Sequence, residues 1–368
     1  MESKFRIAFM IIAVAGSLIL LEAGAVPTRS AVAEEDWDTV VKAAKKEGRV
    51  AVVGPRGDTR RRALTETFEK KFGIQVQFLG TGGPELPPRI KTERRVKKYL
   101  WDVFIAGTTT LLKGIKPEGA LEPIEPALIL PEVKDPKYWR GGELPYMDPD
   151  KTVLAVLQQA GQYVFVNSQL ANPDEFRSWR ELLNPKWKGK IVVARDPRVS
   201  GYGRSTFQYF YIHKDLGRDF IREFIKQDLN ILRNDRTGAL WLAQGKYAIC
   251  ICSDLETTRL MEEGLPVRAL DPHKIKEGTH VTSAFANIAL VNRAPHPNAA
   301  KIYFNWVLSR EGSTLFTQST NIPSLRVDVT TEHVENWRIP AKGWPITNTE
   351  GAIKVEDELV EFLTQVLK

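Results

Sequence analysis

Only two cysteines, Cys250 and Cys252, occur in the 368 residues. That scarcity excludes a disulfide-framework fold and a four-cysteine zinc module. The pair sits two apart on an apolar run, so both side chains are expected on one face of a strand. We expect buried thiols acting as small hydrophobes there, because a bridge across that spacing needs strained geometry. Histidine is also sparse: His213, His273, His280, His296 and His333 are scattered without metal-ligand spacing. No Gly-Lys pair is followed by Ser or Thr, no Gly-x-Ser-x-Gly elbow occurs, and Gly201-Tyr-Gly203-Arg-Ser-Thr206 lacks the third glycine of a dinucleotide fingerprint. The expectation is a protein that is not an enzyme and carries no cofactor and no resident metal. Beyond residue 21 no apolar run is long enough to span a bilayer. Basic residues exceed acidic ones only mildly, 52 against 45, and form no dense stripe with interleaved aromatics. Nucleic acid is therefore not an expected partner, whereas an anionic ligand suits the balance.

The first residues carry a distinct signal. Lys4 and Arg6 precede an uncharged apolar run from Ile7 to Leu21, followed by Ala23-Gly24-Ala25 and Ala31-Val32-Ala33. A basic head, an apolar stretch of about 15 residues and a small-residue exit describe a secretory signal peptide over residues 1–33. Cleavage after Ala33 would open the mature chain on Glu34-Glu35-Asp36. No cysteine succeeds the apolar run at its exit, so lipid attachment is not expected and the mature protein should be periplasmic.

Past residue 33, strands alternate with helical stripes. Arg49–Val53, Ile74–Leu79 and Asp102–Ala106 are apolar runs of strand length. Leu64, Phe68 and Phe72 recur at four-residue spacing between them. This βαβαβ rhythm implies mostly parallel strands with helices on both faces. A second α/β unit comes next, with strands at Lys190–Ala194, Asn230–Arg233 and Tyr247–Ile251 between helical segments. A buried strand at Ala286–Val291 and a terminal helix over Val355–Leu367 close the pattern. Residues 323–349, rich in Pro, Thr and Trp, match no element.

Open parallel sheets bind ligands beyond the carboxyl ends of their strands. Those ends carry Arg56 and Gly57; Thr81 and Gly82; Thr108 and Thr109; Ser200, Gly201 and Tyr202; Arg236; and Ser253. Glycine admits a ligand close to the backbone, hydroxyls give short hydrogen bonds, and N–H groups at helix starts attract anions. Arginine adds a fork that matches carboxylate or phosphate. Any one such loop is also ordinary turn and capping chemistry. Their repetition on two sheets makes these eleven residues the candidate ligand site. The runs Arg60-Arg61-Arg62 and Arg94-Arg95 read as exposed helix faces.

Several segments resemble bacterial extracellular solute-binding proteins of ABC importers, the ferric-iron-type group of type II periplasmic binding proteins. They are Val40–Gly48, Phe68–Val76, Trp101-Asp102-Val103, Trp179–Gly189, Ala294–Ala300 and Ser309–Gly312. The resemblance implies a two-lobed α/β fold joined by crossing hinge strands, with a solute captured between the lobes and passed to an inner-membrane permease. A monomer is expected. Lobe 1 would comprise residues 34–158 with 279–325, and lobe 2 residues 159–278, leaving 326–368 unassigned. Ferric-binding members carry adjacent tyrosines in the second lobe; the equivalent stretch here, Gly245–Ser253, has no such pair, and Tyr209 and Tyr211 look helical. A small organic anion is therefore expected as the solute. Ferric iron, a metal–anion complex, a polyamine, or a periplasmic enzyme on the same scaffold remain as alternatives.

Overall fold

A computed structural model describes residues 36–199 and 201–367; the expected signal peptide lies outside them. Twelve strands run in chain order as β1 (Arg49–Pro55), β2 (Gln75–Thr81), β3 (Val103–Ala106), β4 (Leu154–Ala155), β5 (Gln159–Ala160) and β6 (Val164–Asn167). They continue as β7 (Ile191–Val193), β8 (Asn230–Ile231), β9 (Ile249–Ile251), β10 (Val267–Ala269), β11 (Val281–Thr282) and β12 (Asn287–Leu290). The helices are α1 (Trp37–Glu47), α2 (Asp58–Phe72), α3 (Leu86–Arg95), the single turn α4 (Pro131–Lys134), α5 (Tyr202–Ile212) and α6 (Gly217–Ile225). After them come α7 (Asp235–Ala243), α8 (Asp254–Glu262), α9 (Pro297–Leu308), α10 (Arg310–Thr320) and α11 (Glu350–Val366).

The strands form two five-stranded sheets, ordered β2-β1-β3-β12-β4 and β10-β6-β9-β7-β8. Both are mixed, which corrects the mostly parallel expectation. In the first, β1 is parallel to β2 and β3, but β12 is antiparallel to β3 and β4. In the second, β7 is parallel to β8 and β9, while β6 is antiparallel to β9 and β10. The cause is topological. β6 and β12 are reached directly through the crossing strands, so each enters its sheet against the direction that βαβ units impose.

Those crossing strands are β5 and β11, paired antiparallel as Val281↔Ala160 and Thr282↔Gln159. Gly161 N–H donates to the His280 carbonyl at 2.8 Å just beyond them. A Cβ at Gly161 would overlap the His280 ring, so only glycine lets the two chain segments cross this closely.

Each sheet has its own core. The first gathers Val52, Leu64, Phe68, Phe104 and Trp306; the second gathers Trp179, Phe207, Phe210, Phe220 and Phe224. Apart from Trp179–Gly189 in the second lobe, the motifs that carry the family resemblance meet inside the first. Asp102 accepts from Ala51 N–H at 2.6 Å and from His296 N–H and Nδ1 at 2.8 Å. Glu47 accepts from Asn298 and Ala299 N–H, and Glu311 accepts from Lys71 Nζ and Trp306 Nε1. They are scaffold staples that satisfy buried helix and strand ends.

The terminal helix begins five residues earlier than the apolar stripe indicated, because Thr349 caps it by accepting from Ala352 N–H. It spans both cores: Ile353 packs in the first, and Leu359, Phe362 and Leu363 in the second. Cys250 and Cys252 form a disulfide, correcting the expectation of free thiols. The two Cα atoms lie 5.4 Å apart, within the bridging range.

Candidate functional site

The carboxyl ends of β1, β2 and β3 present Arg56, Thr81 and Thr108, and the ends of β7 and β9 present the chain around Tyr202 and Ser253. The structure draws some of these into the space between the sheets and leaves others outside. Arg56 is exposed and already bound: its Nη2 lies 2.6 Å and 2.5 Å from the two Glu85 carboxylate oxygens. Thr81 Oγ1 donates to the same carboxylate at 3.0 Å. Arg56, then Thr81, hold the Glu85 carboxyl below its usual range. Gly57 is the N-cap of α2 at φ 114°, a conformation that only glycine adopts without strain, and Gly82 lies beside Arg56 and Glu85.

Thr108 is buried, and its Oγ1 accepts from Asn348 Nδ2 at 3.0 Å. Thr109 Oγ1 donates to Glu356 Oε1 at 3.3 Å, and Glu356 Oε2 also accepts from Arg204 Nη1 of α5 at 3.4 Å. Gly201 caps α5 at φ 86°. The half-buried Tyr202 ring stands 5.8 Å from the Tyr163 ring and beneath the Arg195 guanidinium, which pairs with Asp235 at 3.0 Å. Burial, with Asp235 nearby, pushes the Tyr202 phenol well up. Arg236 is exposed on the first turn of α7 and makes no ion pair among the described residues. The Ser253 carbonyl accepts from Thr257 N–H and Oγ1, so this residue works as a helix start. Ser200 lies outside the described residues.

The residues that tie the site together were not singled out by the sequence. Asp254, at the start of α8, accepts from Gln159 Nε2 of β5 at 2.9 Å and from Arg338 Nη1 at 2.9 Å. Its charge reaches Tyr163 and Tyr202 of its own lobe and Arg60 of α2 in the other. Arg60 is half-buried rather than an exposed face residue. It donates to the Arg56 carbonyl at 2.9 Å and lies 4.7 Å over the Phe285 ring, with no carboxylate of the described residues in hydrogen-bond range. Burial lowers its affinity for the proton, and Asp254 opposes that. A signal existed: Arg60 precedes Leu64, Phe68 and Phe72 at the same four-residue spacing, which places it on the inward stripe. Arg338 and Asn348 lie in the segment with no readable periodicity and carry no local signal.

Several buried polar atoms here lack a partner: Tyr202 Oη, Ser283 Oγ, Asn287 Oδ1 and Asn348 Oδ1. Ser283, Asn287 and Asn348 cluster around the end of β3. Asn287 Nδ2 donates to the Ala106 carbonyl, Asn348 to Thr108, and the Ala284 carbonyl abuts Gly107. Orphaned buried polar atoms are costly, so a concentration of them marks a place where a solute or water completes the bonding. Among the described residues, no three His, Cys, Asp or Glu side chains are gathered as a metal's ligands. A separate surface cavity of about 470 Å³, lined by residues including Glu125, Lys151 and Tyr146, lies away from these strand ends.

Two mixed α/β lobes, a paired crossing at β5–β11 and polar groups at the strand ends between them are the arrangement of a two-lobed binding-protein fold. The chain belongs to the bacterial extracellular solute-binding protein family, whose model matches residues 63–340. It is 21% identical over 270 residues to "Iron uptake protein A1" of Synechocystis, covering 70% of each chain. It is 26% identical over 147 residues to the Sinorhizobium fredii protein named "Probable ABC transporter periplasmic-binding protein y4fP", covering 39% of this chain and 37% of that one. Among solved structures, the periplasmic binding protein AfuA of Actinobacillus pleuropneumoniae, with fructose-6-phosphate bound, shares the fold with a TM-score of 0.60. That match has 17% identity and covers 87% of this chain and 98% of that one.

Proposed function

We propose that the protein captures a small organic anion between its lobes and hands it to an inner-membrane ABC permease, as a monomer and without catalysis. The observation that carries this reading is Arg60, a half-buried guanidinium facing the cleft with no carboxylate of the described residues bonded to it. A desolvated guanidinium of this kind is a strong partner for carboxylate or phosphate. The orphaned hydroxyl and amide oxygens of Tyr202, Ser283, Asn287 and Asn348 supply the remaining polar contacts. The AfuA structure holds a phosphorylated sugar, a solute of the same charge class. We place the lobe boundary at residues 158–159 and 279, in keeping with the β5–β11 crossing, and the mature N-terminus at residue 34.

The mechanism is closure of the two lobes. A solute docked on one lobe draws in the other only as far as it binds the closed state better. A metal–anion complex is the second reading, favoured by the Tyr163–Tyr202 ring pair beside Asp254 and in line with the iron named for the Synechocystis relative.

The test is thermal unfolding of the mature chain against carboxylates, phosphorylated and phosphonate compounds, sugars, polyamines and ferric citrate. At 100 times its dissociation constant a specific solute adds about 2.7 kcal/mol. An organic anion should raise the melting temperature, and Arg60→Ala should abolish the rise while Arg236→Ala keeps it. A rise with ferric citrate and none with citrate selects the metal–anion reading. Recovery of the solute unchanged by mass spectrometry separates binding from catalysis.

A further inference from the structure

Four other carboxylates around the cleft are each paired with an arginine. Glu85 is tied to Arg56, Asp235 to Arg195, Asp196 to Arg198, and Glu356 to Arg204. Asp254 is answered by Arg338, 84 residues further along the chain, whose side chain is only 4% exposed.

That guanidinium is held on every side. Its Nε donates to Glu335 at 3.1 Å, Nη1 to Asp254 and to Gln159 Oε1 at 2.9 and 3.1 Å, and Nη2 to Thr258 Oγ1 at 2.6 Å. It stacks 4.3 Å over Trp337, whose ring meets Phe165 edge-on at 5.8 Å and 87°. A guanidinium with its fork saturated and its plane stacked is a fixed charge, which a flexible ammonium would not be. Shared with Glu335, its charge offsets much of that of Asp254, and Arg60 faces what remains. Without Arg338, a partly exposed carboxylate whose charge reaches Arg60 and Tyr202 would lose its counterion. It would compete with an anion for Arg60 and offer a seat to a cation.

We propose that Arg338 is a specificity-determining residue: by offsetting Asp254 it biases the cleft toward anions and against polycations. This rests on the anion reading above and deepens it. Arg338 acts through Asp254 and is a positioning residue, not a ligand contact.

The experiment uses the mature full-length protein, with citrate and spermidine as probes in calorimetric titration. The wild type is expected to bind citrate and ignore spermidine. Arg338→Met should weaken citrate at least tenfold and gain spermidine binding. The double variant Asp254→Asn/Arg338→Met, which removes both charges, should lose spermidine and recover citrate to within about threefold. Arg338→Lys, which keeps the charge, should still reject spermidine, and it serves if Arg338→Met fails to fold. Citrate affinity within twofold of wild type in Arg338→Met, with no spermidine binding, overturns the proposal; so does spermidine binding by Arg338→Lys. If the wild type binds no anion, the anion reading fails on its own. The gain of spermidine in Arg338→Met and its loss in the double variant then still decide the role of Arg338.

Discussion

Glu356 and Arg204 face each other at 3.4 Å, joining the C-terminal helix to the helix that opens behind Tyr202, with side chains only 7% and 14% exposed. Thr109 of the first lobe donates to the same carboxylate. One acid therefore ties a strand end of the first lobe, the C-terminal helix and the second lobe together.

Breaking that pair should cost on the order of 3 kcal/mol, because a buried arginine is left uncompensated. Glu356→Ala is expected to show this loss in urea unfolding. Lys113→Ala, which removes a partner 35% exposed, should cost less than about 1 kcal/mol.

Stability should fall with acid through His280. Its ring is fully buried, both nitrogens lack partners, and burial pulls its pKa down to about 3 from 6.5. Its nearest rings are Tyr209 and Tyr163, and no carboxylate of the described residues bonds to it to offset a proton. The unfolded chain holds the proton more tightly than the folded one, so this stabilisation is complete above about pH 6.5 and drains away between pH 6.5 and 3. The slope is about 1.4 kcal/mol per pH unit at most. His280→Gln should flatten the pH dependence of urea midpoints over that window by one proton.

Gly161→Ala should destabilise by about 1–3 kcal/mol through overlap with the His280 ring. Adding His280→Ala should reverse part of that loss, and a double-mutant cycle measures the coupling. Equal losses with and without His280 would count against the steric account.

The protein should show no free thiol by Ellman titration in denaturant, because Cys250 and Cys252 are joined. The closed loop spans about three residues, so its entropic contribution is only about 1.6 kcal/mol in the chain-entropy model. Cys250→Ser/Cys252→Ser should therefore remain folded, with a modest drop in melting temperature.

Local chemistry was readable from residue order. The stripe Leu64, Phe68, Phe72, the glycine helix ends at 48 and 73, and the apolar runs at 49–53 and 102–106 announced their elements, because side-chain period and backbone sterics act within a few residues. The family segments were readable for the same reason. Glu47, Asp102 and Glu311 are fixed acids beside fixed apolar patterns, although only the fold shows that they staple α9 and α10 to the first sheet. Strand direction was not readable, since whether β6 and β12 run parallel or antiparallel depends on how the chain re-enters each sheet through β5 and β11. The site divides in the same way. The hydroxyl, glycine and arginine loops marked the strand ends, but nothing local distinguished Arg56, neutralised by Glu85, from Arg60, which faces Asp254 across the cleft. Arg338 and Asn348 were invisible for the plainest reason: they reach the cleft from a segment without periodicity. Only tertiary packing brings them beside Asp254 and Thr108, since an ion pair or hydrogen bond across 84 or 240 residues leaves no pattern along the chain.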